Sequence, residues 1–123
     1  MNKEDYVSLE VAKLLKEKGF DEDCMAFYTR DGLFECNSYI NTNVLKHPTP
    51  TLYEAQKWLR KEHGIHIIIT PKYNNSYCIV EYSYRIIAHT SLVFECEGKL
   101  SPDVYEVYEQ CLNAGILEAL KLI

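Results

Sequence analysis

Twice in this chain a hydroxyl residue opens a run of helical periodicity, a glycine ends it, and strand-like alternation follows. The first run is Ser8-Leu9-Glu10-Val11-Ala12-Lys13-Leu14-Leu15-Lys16-Glu17-Lys18-Gly19-Phe20. Ser8 is placed to cap the exposed N–H groups, and Val11, Leu14 and Leu15 fall on one face. Gly19 supplies the left-handed residue past the end, and Phe20 folds back toward Leu15. The second run opens with Thr51-Leu52-Tyr53-Glu54, a capping box, and carries Leu52, Ala55 and Leu59 inward with Trp58 beside them. Gly64 stops it, and Ile65 is placed to pack back on Leu59. Two helix–hairpin units and a closing helix specify an α+β chain in the order α-β-β-α-β-β-(β)-α. The expected form is a two-layer sandwich, an antiparallel sheet with helices on one face, in a single domain over residues 1–123.

The strands follow from alternation. Cys24–Tyr39 reads as a hairpin around Asp31-Gly32, the dipeptide of a type I′ turn. With those two residues as the loop, Thr29 faces Phe34 and Phe27 faces Cys36. Met25, Phe27, Phe34 and Cys36 then share one face, with Tyr28 and Leu33 on the other. Asn41–Pro50, rich in Asn, Thr and Pro, reads as a connecting loop. Ile65–Thr70 and Tyr77–Ile87 are β-branched and aromatic, joined through residues 71–76. Leu92, Phe94 and Cys96 alternate with Val93, Glu95 and Glu97 as a further strand. Ser101-Pro102-Asp103 has the form of a helix start. Val104, Tyr108, Cys111, Leu112, Ile116, Ala119, Leu120 and Ile123 make the stripe of that last helix. Gly115 inside it costs about 1 kcal/mol relative to Ala unless something packs closely there.

Composition narrows the function classes. Thirteen Lys and Arg against 18 Asp and Glu give a net charge of −5, which argues against nonspecific attraction to a nucleic-acid backbone. No run approaches a membrane span, and the charged amino terminus is unlike a signal peptide, so the expected location is the cytoplasm. Five cysteines without a CxxC pair read, in a reducing compartment, as small buried hydrophobes.

Three blocks carry a resemblance. They are Tyr6–Phe20, then Pro50-Thr51-Leu52-Tyr53-Glu54-Ala55-Gln56-Lys57-Trp58-Leu59-Arg60, then Ala114-Gly115-Ile116-Leu117-Glu118-Ala119-Leu120-Lys121-Leu122-Ile123. Together they resemble an uncharacterised family of small proteins encoded by Bacteroides and their phages or prophages. Family members often show an acidic Tyr-Glu-Glu-Ala run before the final block, where this chain has Tyr105-Glu106-Val107-Tyr108-Glu109-Gln110-Cys111. The resemblance implies a phage or mobile-element setting, and it carries no activity, cofactor or catalytic residue to transfer.

The residues themselves offer little chemistry. His47, His63, His66 and His89 lack metal-ligand spacing, and the cysteines form no paired module, so no metal and no cofactor are expected. His63 instead falls near a helix C-terminus, where partial positive charge is favourable. Cys96 with His89 is the nearest approach to a nucleophile pair. Cys96 shares the buried face of a strand with Leu92 and Phe94, however, and Glu95 and Glu97 would raise its pKa. No glycine-rich phosphate loop is present. The chain is therefore expected not to be an enzyme, and no catalytic residue is assigned.

Two binding readings remain. From Thr51 onward the order α-β-β-β-α resembles the double-stranded RNA-binding domain, but the start of the last helix lacks that family's lysines and segment 101–123 is acidic. The ten tyrosines are the more unusual feature. Tyr73, Tyr77, Tyr82 and Tyr84 cluster in the second hairpin, and Tyr82 and Tyr84 share a face. If Ile65, Ile67 and Ile69 mark the helix-covered face, some of these tyrosines lie on the open one. Tyr77, Tyr82 and Tyr84 are thus the candidate contact residues for an unknown protein partner or for self-association, because Tyr is enriched at interfaces. Host-factor modulation is the sharper form of that reading; a nucleic-acid module is the alternative.

Overall fold

A computed structural model describes residues 3–29, 31–36, 46–88, 99–100 and 104–123. After a 3₁₀ turn at Lys3–Asp5 come α1 (Leu9–Glu17), β1 (Ala26–Thr29), β2 (Phe34–Cys36), β3 (Lys46–Thr49) and α2 (Leu52–His63). β4 (Ile65–Tyr73), β5 (Ile79–Ala88), β6 (Lys99–Leu100) and α3 (Tyr108–Leu120) complete the order. The fold is mixed α+β. The single sheet expected from the alternation is divided into two three-stranded antiparallel sheets, ordered β2-β1-β3 and β4-β5-β6.

Both early helices form as their end signals dictate. Ser8 Oγ accepts the Val11 N–H at 3.3 Å. Past the other end, Gly19 takes φ +101° and the Phe20 N–H donates to the Leu15 carbonyl at 2.9 Å. Thr51 and Glu54 complete their reciprocal box, at 3.1 Å and 2.9 Å, and Gly64 stops α2 in the left-handed region. Yet the two units are not copies in topology. The strand after α1 is central in its sheet, whereas the strand after α2 lies at the edge.

Three sequence expectations are corrected. The first hairpin pairs Phe27 with Glu35 and Tyr28 with Phe34, one residue away from the expected register. The Thr29 N–H reaches the Leu33 carbonyl at 2.8 Å, so three residues form the loop, with Gly32 at φ +85°. One step of register exchanges faces. Tyr28 now meets Phe34 edge-on at 5.4 Å, and Met25 is exposed. The supposed loop before α2 contains a strand: β3 pairs with β1, with Pro48 opposite Phe27. Finally, α3 begins at Tyr108, with Val107 as an N-cap that provides no side-chain hydrogen bond. Residues 104–107 are not helical, because Tyr105 is drawn into a bridge with Tyr82. Val104 and Tyr108 are consequently exposed instead of joining the stripe. The expected strand at Leu92–Cys96 and the cap at Ser101–Asp103 lie outside the described residues.

Both strand prolines sit where a missing N–H does no harm. Thr29 directs its N–H toward β2, so alternation sends Phe27 the same way and leaves the nitrogen of Pro48 facing off the sheet. Tyr82 directs its N–H away from β4 to Tyr105, so Pro71, its partner, also faces outward. On that same β4 edge the Ile67 carbonyl is held by the Gln56 side-chain amide at 3.0 Å.

One core joins both sheets and all three helices. It includes Val11 and Leu15 of α1, Tyr28 of β1, Leu59 of α2, Ile67 of β4, Tyr84 and Ile86 of β5, and Ile116 and Leu120 of α3. At roughly 1.5–3 kcal/mol for each large side chain, α3 alone contributes several such terms through Leu112, Ile116 and Leu120. Its close seat on the second sheet depends on Gly115. A Cβ there would lie 2.9 Å from Ile67 Cγ2 and 3.2 Å from Tyr84 Cγ. The intrahelical glycine thus has the packing reason that its propensity cost demanded.

Candidate functional site

The second hairpin extends past the helices that cover it. In β4, Ile65 and Ile67 are buried, Ile69 and Pro71 are half-buried, and Tyr73 is 59% exposed. In β5 the gradient runs the same way, from Ile86 and Tyr84 in the core to Ile79 near the turn. The distal end is therefore a two-stranded arm whose face emerges from under α3. A cross-strand ion pair at 3.7 Å joins Lys72 to Glu81, and a register shift after Lys72 brings Tyr73 opposite Ile79.

Asn74 builds the turn. Its Oδ1 accepts the N–H groups of Ser76 at 2.8 Å and Cys78 at 3.1 Å, and its own N–H donates to the Cys78 carbonyl at 2.9 Å. Tyr77 is held within this turn at φ +61°, the sole non-glycine residue at positive φ among the described residues. For a bulky side chain that conformation costs on the order of 1–3 kcal/mol. The Tyr77 ring is 88% exposed, so no packing of its own offsets the cost.

The three candidate tyrosines separate. Tyr84 is opposite Ile69, so the even-numbered residues of β5 share the helix-covered face with Ile65, Ile67 and Ile69. At 2% exposure Tyr84 is a core residue, and the open-face placement is corrected for it and for Tyr82. Tyr82 is half-buried: its ring meets Tyr108 edge-on at 5.6 Å, and its main chain exchanges hydrogen bonds with Tyr105 at 2.6 and 2.8 Å. Only Tyr77 is fully presented. Tyr73 and Ile79 join it at the arm's end, and Ile79 was not singled out from sequence. The available signal was the length of the second strand-forming run, Tyr77–Ile87, which exceeds what a helix of α3's length covers.

Elsewhere several polar side chains are occupied in holding the fold. Asn113 Oδ1 accepts the Ser8 N–H at 2.9 Å while its amide donates to Ser8 Oγ at 3.1 Å, and the Tyr28 hydroxyl donates to the Val7 carbonyl. His63 ends α2 as expected, with its ring against Trp58 at 4.8 Å. Burial pushes the Cys24 thiol up to about 12, helped by Glu54, Glu22 and Asp23, and burial alone takes Cys111 to about 11. Neither is a nucleophile at neutral pH. The His89–Cys96 pairing lies outside the described residues. Among the described residues no group of three or more His, Cys, Asp or Glu is placed to hold a metal ion, and no helix is long and apolar enough to cross a membrane.

From α2 onward the elements run helix, three antiparallel strands, helix, the order noted in the sequence. The first turn of α3 presents Tyr108, Glu109 and Gln110, with no cation. Two concavities flank the 3₁₀ turn. One of about 440 Å³ includes Tyr6, Tyr28 and Asn113; the other, of about 540 Å³, opens between α2 and α3. Comparison with protein-family models, with curated proteins and with solved structures finds no match for this chain.

Proposed function

We propose that this protein acts without catalysis, by binding another protein through the end of the β4–β5 arm. The observation that supports this reading is Tyr77, an exposed aromatic ring held in a costly backbone conformation, with Tyr73 and Ile79 beside it. Strain that persists without local packing is a mark of functional sites, and exposed tyrosines on a pre-formed turn bind at low entropic cost. The setting that fits the sequence resemblance is the cytoplasm of a Bacteroides cell carrying a phage or prophage, with a host factor as the bound protein.

A tagged pull-down from Bacteroides lysate, with and without nuclease, tests the proposal. A host protein retained after nuclease and lost in Tyr73→Ser with Tyr77→Ser supports it. Capture that disappears with nuclease would replace it with the nucleic-acid reading, which the helix-sheet-helix order favours and the acidic start of α3 opposes. Capture indifferent to both substitutions would remove the arm from the function.

A further inference from the structure

The larger concavity, of about 540 Å³, has the composition of a peptide-binding groove. It is lined by Asp5 from the 3₁₀ turn, Leu52, Tyr53 and Gln56 from α2, and Tyr108, Glu109 and Leu112 from α3, with Thr51 at its edge. Leu52 and Leu112 are buried and form the floor, while Tyr53, 63% exposed, and Tyr108, 44% exposed, stand as aromatic walls. The Tyr108 wall and the rim beside it are fixed before any ligand arrives. The edge-on contact with Tyr82 holds Tyr108, a bridge between Tyr6 and Thr51 anchors the 3₁₀ turn to the start of α2, and the Val7 N–H donates to the Pro50 carbonyl at 3.1 Å.

Its charge is one-sided. Asp5 and Glu109 are the charged residues lining the groove, and neither forms an ion pair with a described residue. The N-termini of α2 and α3 both reach this groove and contribute roughly half a positive charge each. Glu54, whose carboxylate is committed to the capping box, offsets one of them. Asp5 and Glu109 then outweigh the other, so the groove is net negative. An apolar floor between aromatic walls and carboxylates fits a short segment with an aliphatic anchor flanked by guanidinium groups. Such groups stack on tyrosine faces and bond carboxylates in pairs. The volume is that of a pocket for a few side chains, not of a domain face.

We infer that this groove binds an arginine-bearing, aliphatic-anchored peptide segment of a partner protein, at a surface separate from the arm. The test uses a panel of fluorescein-labelled hexapeptide amides in which two arginines flank Leu-Leu at every spacing, read by anisotropy at low and high salt. At least one member should bind saturably. It should weaken by about tenfold when citrulline replaces arginine, a change that keeps shape and removes charge. High salt should weaken it as well. Asp5→Asn, Glu109→Gln and Tyr53→Ala should each weaken binding severalfold, with unchanged circular dichroism and Trp58 fluorescence, while Tyr77→Ser leaves it intact. Absence of saturable binding across the panel, equal affinity for the citrulline peptides, or indifference to the Asp5, Glu109 and Tyr53 substitutions would overturn the inference. Because Tyr77 and the groove are substituted separately, failure here leaves the arm's own test independent.

Discussion

Replacing Gly115 with alanine sets two effects of known size against each other. In an exposed helix the change gains about 1 kcal/mol of propensity. Here the new methyl would meet Ile67 Cγ2 at 2.9 Å and Tyr84 Cγ at 3.2 Å. The first is a β-branched methyl on a buried strand, and the second belongs to a ring that is 2% exposed, so neither is the free end of a flexible chain. Overpacking a filled core costs typically 1–3 kcal/mol, and two stiff neighbours place this site at the upper end. The net is a destabilisation of about 1–2 kcal/mol, which lowers Tm by roughly 4–10 °C for a domain of this size. Urea titration followed by the fluorescence of Trp58, the single tryptophan, measures it; the midpoint should fall by about 0.5–1 M. Ile67→Leu moves the branch away from Cβ at nearly constant volume. In its background the penalty should shrink, giving a coupling energy of about 1 kcal/mol. A Gly115→Ala protein as stable as the parent, or more stable, would refute the close approach of α3 to the sheet.

Further outcomes follow from the same geometry. Tyr77→Gly should raise stability by about 1 kcal/mol by releasing the left-handed strain, while weakening partner capture; a loss of stability would show that the turn does not hold that conformation. Thr51→Ala should cost about 1 kcal/mol of thermal stability through loss of the capping box, measurable by circular dichroism. Burial, with Lys13 and Lys16 nearby, lowers the pKa of His47 from 6.5, and its Nδ1 is buried without a hydrogen-bond partner. The unfolded chain therefore takes up this proton first. The contribution is complete above pH 6.5 and lost as pH falls through the folded value, and His47→Gln should flatten that stretch of a stability–pH curve. At mildly alkaline pH, Cys78→Ser should remove one equivalent from the fast phase of thiol labelling, whereas Cys24→Ser and Cys111→Ser leave that phase unchanged.

What could be read from the sequence was what is decided within a few residues. Ser8, Thr51, Gly19 and Gly64 act on the main chain next to them, so both helices were legible with their ends. Gly115 was legible as a residue needing a neighbour, though not which one. Misreadings arose where a distant partner decides. Asp31-Gly32 suits a two-residue loop as well as the three-residue loop observed, and the choice moves Tyr28 into the core. Pro48 argues against a strand until its nitrogen is known to face outward. Tyr105 interrupts an apparently good helix start because Tyr82, 23 positions earlier, offers it a bridge. The candidate tyrosines differ by register and by reach: pairing with Ile69 buries Tyr84, and distance from α3 exposes Tyr77. Alternation alone does not carry that information.

The hydrogen-bonded pair between Ser8 and Asn113 joins residues 105 positions apart, and α3 packs against α1, α2, β4 and β5. A ribosome adding about 5–20 residues per second would complete α1 roughly 5–20 s before α3. Through that interval α1 lacks part of its final cover, and the second sheet lacks the helix that closes its inner face. Nascent chains of this protein should accordingly remain sensitive to protease and dependent on chaperones until α3 clears the exit tunnel, then become resistant in one late step.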